Sequence, residues 1–326
     1  MRRLALVALP VLAVVAVAVV VLARSGSNTA PLAQAAAAPG PHIFLVIGEN
    51  TSASQITPAH APYLTGTLRP RASWLTSYHS FPKSSSLGDY IAMTSGQFTK
   101  CEANNDLPDH CHQARDNVFQ QLQATRRTWF EFNEGAANAC DIVDHGAAWS
   151  KNIYSAHHDP ALYYTGLHGI GYDEAIAPKA ACREHDLAMG TTGPNDTSTM
   201  DAALAAGRVG ALNVLVPNDC ENGHDVCGTK DAVRQFDDFL AREIPKMQAS
   251  PAYGTDSTII VTWDEGADRP LNPANPLLLA LGAGVKPGTV SSGSFNHYSL
   301  LATIETRLGL PKLAHARTAR ALPIFG

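Results

Sequence analysis

Pairs of acidic and amide side chains follow four apolar stretches of this chain. They are Glu49-Asn50, Asn133-Glu134, Asn218-Asp219 and Asp264-Glu265. If the apolar stretches are parallel strands, these pairs meet beyond the carboxyl ends of the strands, where open α/β sheets bind their ligands. Clustered carboxylates repel one another unless a cation lies between them, and oxygen ligands suit hard divalent metals. The pattern predicts a divalent metal site at one sheet edge. The alternative is that each pair only caps the helix that follows it.

A serine-rich turn offers a candidate nucleophile. The run Ser84-Ser85-Ser86 precedes Leu87-Gly88-Asp89-Tyr90, which has the pattern of a short helix. A hydroxyl at the amino end of a helix lies where free N–H groups and the helix dipole favour an anion such as phosphate. A metal ion touching that hydroxyl would favour the alkoxide and activate it for attack. The alternative, which the local sequence alone favours, is that Ser86 is a helix N-cap.

The apolar stretches have the length of strands and alternate with helical patterns. The predicted strands are His42–Ile47, Trp129–Phe132, Asn213–Val216, Ser257–Trp263 and Leu277–Leu281. The predicted helices include Val118–Ala124, Ala232–Met247 and Ser299–Leu308. This alternation predicts an α/β fold with a mostly parallel central sheet and helices on both faces. The segment 136–201 is rich in Gly, Asn, Asp and His with weak periodicity, and we expect it to be an irregular insertion.

The amino end predicts export. Arg2 and Arg3 precede an unbroken apolar run over residues 4–23, so residues 1–40 are predicted to be a leader followed by a linker. The run is long for a cleaved signal and just long enough to span a bilayer, so cleavage and retention as a membrane anchor both stay open. Either route places the domain 41–326 outside the cytoplasm.

The charge balance argues against a nucleic-acid partner. Of the 24 basic residues, Arg2, Arg3 and Arg24 precede residue 41, which leaves 21 bases against 29 acids, or −8, in the remainder. Proteins that bind nucleic acid use basic surface to displace the counterions of the phosphate backbone. We therefore expect no nucleic-acid partner.

Six cysteines in a chain predicted to be exported suggest disulfide bonds. Their number is even, but six cysteines allow 15 connectivities and the sequence does not choose among them. The expected pairs are the two local ones, Cys101–Cys111 and Cys220–Cys227, which leaves Cys140–Cys182 across the insertion.

Four stretches together resemble the secreted bacterial phosphoesterases of the acid phosphatase and phospholipase C type, within the alkaline phosphatase superfamily. They are His42–Asn50, Ser86–Gly96, Pro217–Asp225, and Thr258–Glu265 with Asn296-His297-Tyr298. The resemblance runs from about His42 to Pro311, and the length is most similar to that of the short secreted acid phosphatases that act on phosphoinositides. It implies an alkaline phosphatase-like α/β/α sandwich over residues 41–326.

The resemblance implies a role for each matched position. Ser86 matches the nucleophile, and His224 and His297 match histidines that assist catalysis. The implied metal ligands are Glu49, Asn50, Asp225, Asp264 and Glu265, and the implied substrate-binding residues are Asp89, His158 and Asn218. The implied cofactor is a divalent ion, which is Mg²⁺, Ca²⁺, Mn²⁺ or Zn²⁺. Asp89 departs from the family pattern, since relatives carry an asparagine there that helps to hold phosphate.

The expected function is therefore that of an exported, metal-dependent phosphoric ester hydrolase. We favour an acid phosphatase, with a phosphoinositide or phospholipid headgroup as the expected substrate. One alternative is a phosphodiesterase of the phospholipase C type, and another is a catalytically idle phosphate-binding protein on the same scaffold, which the change at Asp89 motivates. A serine-peptidase triad is disfavoured because no G-x-S-x-G turn surrounds Ser86.

Overall fold

The structure, a computed structural model, describes residues 40–81, 84–98, 101–146, 152–169, 177–227, 231–267 and 275–325. The predicted leader, apart from Gly40, and its apolar run 4–23 lie outside these ranges. Within them, no helix is both long enough and apolar enough to cross a bilayer.

Eight strands form the central sheet, and four short strands form two further pairs. The strands are β1 Ile43–Gly48, β2 Ser73–Leu75, β3 Tyr78–His79, β4 Trp129–Asn133, β5 His145–Gly146, β6 Asn152–Tyr154, β7 Asp186–Ala188, β8 Leu212–Val216, β9 Thr258–Trp263, β10 Leu278–Gly282, β11 Val290–Ser291 and β12 Phe295–Asn296. The central sheet has the order β11-β2-β10-β9-β1-β8-β4-β7, β12 pairs with β3, and β5 pairs with β6. The most central strands, β9, β1, β8 and β4, are parallel to one another.

Helices cover the sheet, and their ends follow local capping rules. They are α1 Ser86–Ser95, α2 Pro108–Cys111, α3 Val118–Ala124, α4 Ala180–Arg183, α5 Ser198–Ala205, α6 Ala232–Ala249 and α7 His297–Leu308. The Asn296 side chain caps α7 by accepting the Ser299 N–H. The helix ends at Leu308 and is followed by Gly309, whose φ of 64° is left-handed. The predicted helices are thus confirmed, with α7 beginning two residues earlier than expected.

Alternate residues of β1 face opposite layers of helices. Ile43, Leu45 and Ile47 belong to one apolar core with residues of α1, α3 and α7. On the neighbouring strand β9, Trp263 packs edge-on against Phe236 of α6, with ring centroids 5.2 Å apart. A strand that is buried on both faces needs apolar residues throughout, which explains the uninterrupted runs in the sequence. The α/β fold predicted from them is confirmed.

One strand runs against the prevailing direction. β10, predicted as Leu277–Leu281 in a mostly parallel sheet, is antiparallel to both β9 and β2, whereas the other five neighbouring pairs are parallel. A buried apolar strand has the same sequence pattern in either direction, so its direction could not be inferred. The segment 136–201 also contributes β7 to the sheet, as the edge strand beside β4.

All three expected disulfides are present. They are Cys101–Cys111, Cys140–Cys182 and Cys220–Cys227, and they account for all six cysteines. Cys140 and Cys182 lie close to Asp186 in a group with the spacing of metal ligands. Because the disulfide occupies both sulfurs, this group has no thiolate to offer a metal.

Three carboxyl groups lie buried together near the edge strand β7. Glu131, Asp159 and Asp186 are each at most 1% exposed. The amide of Asn133 donates to Asp159 at 2.7 Å and to Asp186 at 2.9 Å. Burial, reinforced by the charge of Asp186, raises the pKa of Glu131 well above its usual range, and burial likewise raises the pKa values of Asp159 and Asp186. The folded state therefore favours the protonated form of these carboxyl groups.

Glu131→Gln should stabilise the protein at neutral pH by about 1–2 kcal/mol. The unfolded chain releases the Glu131 proton above about pH 4.3, whereas the folded chain keeps it until its raised pKa, so wild-type stability falls across that window. Glutamine keeps the acceptor for the Ala161 N–H, which now contacts Oε2 at 3.2 Å. Thermal unfolding measured from pH 4 to pH 8 should show the advantage of the variant growing with pH.

The exposed neighbour Glu184 provides the control for this measurement. Glu184→Gln should have the same thermal stability as the wild type at every pH. A Glu131→Gln variant that is less stable than wild type at pH 7, or whose advantage does not change with pH, would contradict the assignment.

Candidate active site

Strand register places Glu49 beside Asp264. Gly48 at the end of β1 is opposite Trp263 at the end of β9, so the next residues of these parallel strands are neighbours. The Asp264 N–H donates to the Gly48 carbonyl at 3.1 Å. Gly48 must be glycine here, because a Cβ atom would lie 2.6 Å from the Trp263 indole nitrogen. Asn50 then turns the chain with a left-handed φ of 43° and donates its N–H to Asp264 Oδ1 at 3.2 Å.

The two carboxylates share an environment that suits a cation. Glu49 and Asp264 are both 0% exposed. Burial raises the pKa of Glu49 well above its usual range and the Asp264 charge raises it further, while burial also raises the pKa of Asp264. Among the residues that the structure describes, no hydrogen-bond donor contacts Asp264 Oδ2. Buried carboxylates that repel one another and leave an oxygen unsatisfied are a donor set that fits a hard divalent ion.

Ser86 faces this pair from the start of α1. Its hydroxyl donates to Glu49 Oε2 at 3.5 Å, and it is 5% exposed. The capping interpretation of Ser86 is wrong, because the N-cap is Ser85, whose side chain accepts the Gly88 N–H. Ser86 is the first helical residue, and its hydroxyl remains available for other chemistry.

The start of α1 offers fewer free N–H groups than the sequence suggests. The Leu87 N–H donates to Asn105 Oδ1, the Gly88 N–H to Ser85 Oγ, and the Asp89 N–H to the Ser85 carbonyl. The expectation that free N–H groups at this helix end hold an anion is therefore wrong for these three. The helix dipole remains the contribution that α1 makes to an anion near Ser86.

His158 contacts the pair from a different segment of the chain. Its Nε2 lies 3.5 Å from Glu49 Oε1, and its Nδ1 lies 3.1 Å from Asp219 Oδ1. Asp219 also accepts the Ser155 hydroxyl at 2.5 Å. Burial, the largest single effect, would lower the pKa of His158, but the neighbouring carboxylates, Asp219 first among them, together raise it. Burial would likewise raise the pKa of Asp219, but His158, with Ser155 and His224, lowers it to about 2. Asp219 therefore favours the protonated form of His158 and fixes the orientation of its imidazole.

Asp89 and His297 form a second buried contact. Asp89 Oδ1 lies 3.5 Å from His297 Nε2, and both side chains are fully buried. The same nitrogen lies 2.6 Å from the Asp264 carbonyl, and Nδ1 of His297 lies 2.8 Å from the Tyr78 hydroxyl. Burial lowers the pKa of His297 to about 4, so its imidazole is neutral near neutral pH. The Asp89 carboxylate, which the family pattern would place toward phosphate, here faces this histidine.

The remaining predicted residues lie farther out or are engaged elsewhere. His224 is 40% exposed, pairs with Asp225 at 2.9 Å, and its ring centroid is 6.3 Å from that of His158. The Asn218 amide donates to the Pro194 carbonyl and accepts the Cys220 and Glu221 N–H groups, so this side chain shapes its own loop. The roles expected of these three residues stay predictions, as does that of Glu265, whose N–H donates to Asp264 Oδ1 at 2.6 Å.

Sequence reasoning overlooked two residues of this group. Tyr90 donates its hydroxyl to Glu49 Oε1 at 2.8 Å and stacks on His158 with ring centroids 5.5 Å apart. Tyr90 lies four residues after Ser86, the spacing that places two side chains on one helix face, so the signal was present. Asp219 belongs to a strand-end pair, but the pattern gave no reason to join it to His158.

Comparison with known proteins identifies the family of this chain and one curated relative. The model of the Phosphoesterase family matches residues 58–311. A phosphatidylinositol-3-phosphatase from Mycobacterium tuberculosis is 33% identical over 110 residues, which is 33% of this chain and 33% of the relative. The match therefore spans about a third of that relative's length.

Solved structures share the fold at low sequence identity. A protein of the alkaline phosphatase superfamily from Vibrio parahaemolyticus has a TM-score of 0.59 at 11% identity, covering 85% of this chain and 68% of that one. Murine ectonucleotide pyrophosphatase/phosphodiesterase 5 in complex with AMP has a TM-score of 0.56 at 10% identity, covering 84% and 96%. The phosphonate monoester hydrolase of Silicibacter pomeroyi scores 0.51 at 14% identity, covering 86% and 76%. The expected alkaline phosphatase-like fold is confirmed.

Proposed function

The chain belongs to the Phosphoesterase family, and from that premise we propose that it is a phosphoric ester hydrolase with Ser86 as nucleophile at a divalent metal site. The observation that carries the proposal is the contact between the Ser86 hydroxyl and Glu49, beside the unsatisfied carboxylate oxygen of Asp264. A hydroxyl that touches a pair of buried carboxylates is the arrangement expected of a metal-activated nucleophile.

Glu49 and Asp264 would hold the ion, with Asn50, Glu265 and Asp225 as further candidate ligands. When bound, the ion would lower the pKa of the Ser86 hydroxyl and offset the negative charge of the phosphoryl group. Tyr90 orients Glu49 through its hydroxyl, and the backbone N–H groups of Asn50 and Glu265 orient Asp264. These contacts fix both carboxylates before a substrate binds.

The reaction proposed for Ser86 is attack of its oxygen on phosphorus. The hydroxyl proton leaves to solvent as the serine oxygen bonds to phosphorus, and the bond from phosphorus to the ester oxygen breaks as the departing alcohol takes up a proton. Water then attacks the phosphoserine, which releases inorganic phosphate and returns a proton to the Ser86 oxygen. The imidazole of His158, held in place by Asp219, would present a ring N–H group toward the phosphate. Both ring nitrogens of His297 are engaged, so of the two predicted histidines the exposed His224 is better placed to protonate the leaving alcohol.

The favoured substrate is a phosphomonoester, with a phosphoinositide headgroup as the first candidate. Support for this choice comes from the relative whose name is phosphatidylinositol-3-phosphatase. Export is part of the same proposal, with the leader either cleaved or kept as an anchor, and three disulfides support it.

Removal of divalent ions should lower the hydrolysis of p-nitrophenyl phosphate at least about 10³-fold. The metal content of the purified domain would be measured by mass spectrometry, and activity assayed before and after chelation. Adding back Mg²⁺, Ca²⁺, Mn²⁺ or Zn²⁺ singly should restore activity with one of them. Full activity in protein shown to be metal-free would contradict the metal site.

The same purified domain distinguishes the phosphatase from the two alternative functions. Faster hydrolysis of phosphatidylcholine than of the monoester would favour the phospholipase C-type phosphodiesterase. Failure to hydrolyse either substrate with any of the four ions, while phosphate still binds, would favour the idle binding protein.

A further inference from the structure

The first turn of α1, which carries Ser86, is held in part by a residue from a separate loop. Asn105 accepts the Leu87 N–H on its Oδ1 at 3.0 Å, across 18 positions of sequence. The next two N–H groups of the turn bind locally, Gly88 to the Ser85 side chain and Asp89 to the Ser85 carbonyl. Among these three N–H groups, that of Leu87 alone depends on a distant residue.

This contact bears directly on the geometry of Ser86. The Leu87 N–H belongs to the planar peptide unit that links Ser86 to Leu87, so a bond to this N–H limits the rotation of Ser86 about its Cα–C bond. The Ser86 hydroxyl contacts Glu49 Oε2 at 3.5 Å, a distance at which a hydroxyl is only weakly fixed. The position of the nucleophilic oxygen therefore depends on the backbone that carries it.

Asn105 is itself kept in an uncommon backbone conformation. Its φ of 54° lies in the left-handed region, which asparagine adopts more readily than most residues other than glycine. The Cys101–Cys111 disulfide closes the loop around it, and the Tyr163 hydroxyl donates to the Asp106 carbonyl at 2.8 Å. A residue that its surroundings hold in a sparsely populated conformation is a candidate for a functional role.

We propose that Asn105 is a positioning residue for the nucleophile. This role rests on the proposed attack of Ser86 on phosphorus, and it falls on a residue outside the strand-end pairs and the four matched stretches. The Asn105 oxygen orders the first turn of α1, so that the Ser86 oxygen is aligned before a substrate binds. A misplacement of about 1 Å can lower a reaction rate about 10²-fold, so one such contact is able to matter for catalysis.

Replacement by glycine isolates the contribution of the side-chain oxygen. Asn105→Gly removes the acceptor yet suits the left-handed backbone, so the variant introduces no strain. The maximal first-turnover rate of p-nitrophenol release from p-nitrophenyl phosphate should fall about 10- to 100-fold, because alignment is lost. The half-saturating substrate concentration should stay within about twofold of the wild-type value, because the substrate still binds.

The conservative replacement by aspartate separates alignment from substrate binding. Asn105→Asp keeps an oxygen acceptor for the Leu87 N–H, and a negative charge at the amino end of a helix favours the helix. The first-turnover rate at saturation should therefore return to within about threefold of wild type. The added charge should repel the phosphate ester and raise the half-saturating concentration.

Asn117 provides the matched control. Its Oδ1 accepts the Gln120 N–H at 2.9 Å and so caps α3, a helix that carries none of the candidate site residues. Asn117→Gly should lose the same kind of bond and keep wild-type kinetics. An unchanged first-turnover rate in Asn105→Gly would overturn the assignment. A rate that aspartate does not restore would also overturn it, because Asn105 would then act on the substrate through its amide nitrogen.

Amide hydrogen exchange tests the contact without relying on catalysis. The Leu87 N–H should exchange at least about tenfold faster in Asn105→Gly than in wild-type protein, and Asn105→Asp should restore its protection. If wild-type protein hydrolyses no ester, the proposed function fails, and exchange alone decides whether Asn105 orders the turn that carries Ser86. Equal exchange of this N–H in wild type and Asn105→Gly would contradict the role of Asn105.

Discussion

Ser86→Ala should abolish phosphate release, with a loss of at least about 10⁴-fold. The hydroxyl is the only nucleophilic group proposed at this position, and nothing that alanine offers can form the phosphoserine. Stability should change by less than about 1 kcal/mol, since the Oγ contact to Glu49 is long, at 3.5 Å. Release of p-nitrophenol, together with trapping of phosphorylated protein at low pH, would measure both the rate and the intermediate.

The neighbouring serine provides the matched control. Ser85 caps α1 by accepting the Gly88 N–H, so Ser85→Ala should cost about 1 kcal/mol of stability. Its activity at low temperature should stay within a few-fold of wild type. The two adjacent variants thus separate chemistry from helix capping. Undiminished phosphate release by Ser86→Ala would refute the nucleophile assignment.

Glu49→Gln should have opposite effects on activity and on metal-free stability. Activity should fall at least about 10³-fold and bound metal should be lost, because a neutral amide lacks the negative charge with which the carboxylate attracts a divalent ion. The metal-free protein should gain about 1–2 kcal/mol, since the substitution removes a buried charge that repels Asp264. Tyr90 can still donate to the amide oxygen, so the local packing is kept.

A buried carboxyl group outside the site is the control for the effect of burial alone. Glu305 on α7 is 0% exposed, and burial raises its pKa to about 7. Glu305→Gln should retain metal and activity while keeping the acceptor for the Leu313 N–H. Metal content and thermal unfolding of chelated protein are the measurements. A metal-free Glu49→Gln protein that is less stable than wild type would show that Glu49 does not repel Asp264.

The sheet and the positions of its acidic pairs could be predicted because they depend on local patterns. An apolar run that is followed by Glu49 or Asp264 predicts both the strand and the acidic residue at its carboxyl end. Strand direction could not be predicted, since β10 has the same composition as the parallel strands. Ser85 and Ser86 are adjacent residues of the same type, so helix and capping propensities do not decide which of them is the N-cap.

Contacts between distant segments had no sequence signal of their own. The His158–Asp219 pair joins residues 61 positions apart, and the contact between Asp89 and His297 arises from the packing of α1 on α7. The family resemblance supplied His158 and His297 as candidates, but it could not supply their partners. Asp219 raises the pKa of His158, whereas burial lowers that of His297, and only the packed structure reveals either environment.

The Cys220–Cys227 bond has a consequence for the loop that carries part of the candidate site. It begins at the residue after Asp219, which charges and orients His158, and it encloses His224 and Asp225. In a reducing compartment the thiols stay apart, and the segment keeps the conformational freedom that the cross-link would remove. The cross-link therefore limits the motion of the loop that carries His224 and Asp225, and reduction of this bond should loosen that loop while leaving the central sheet unchanged.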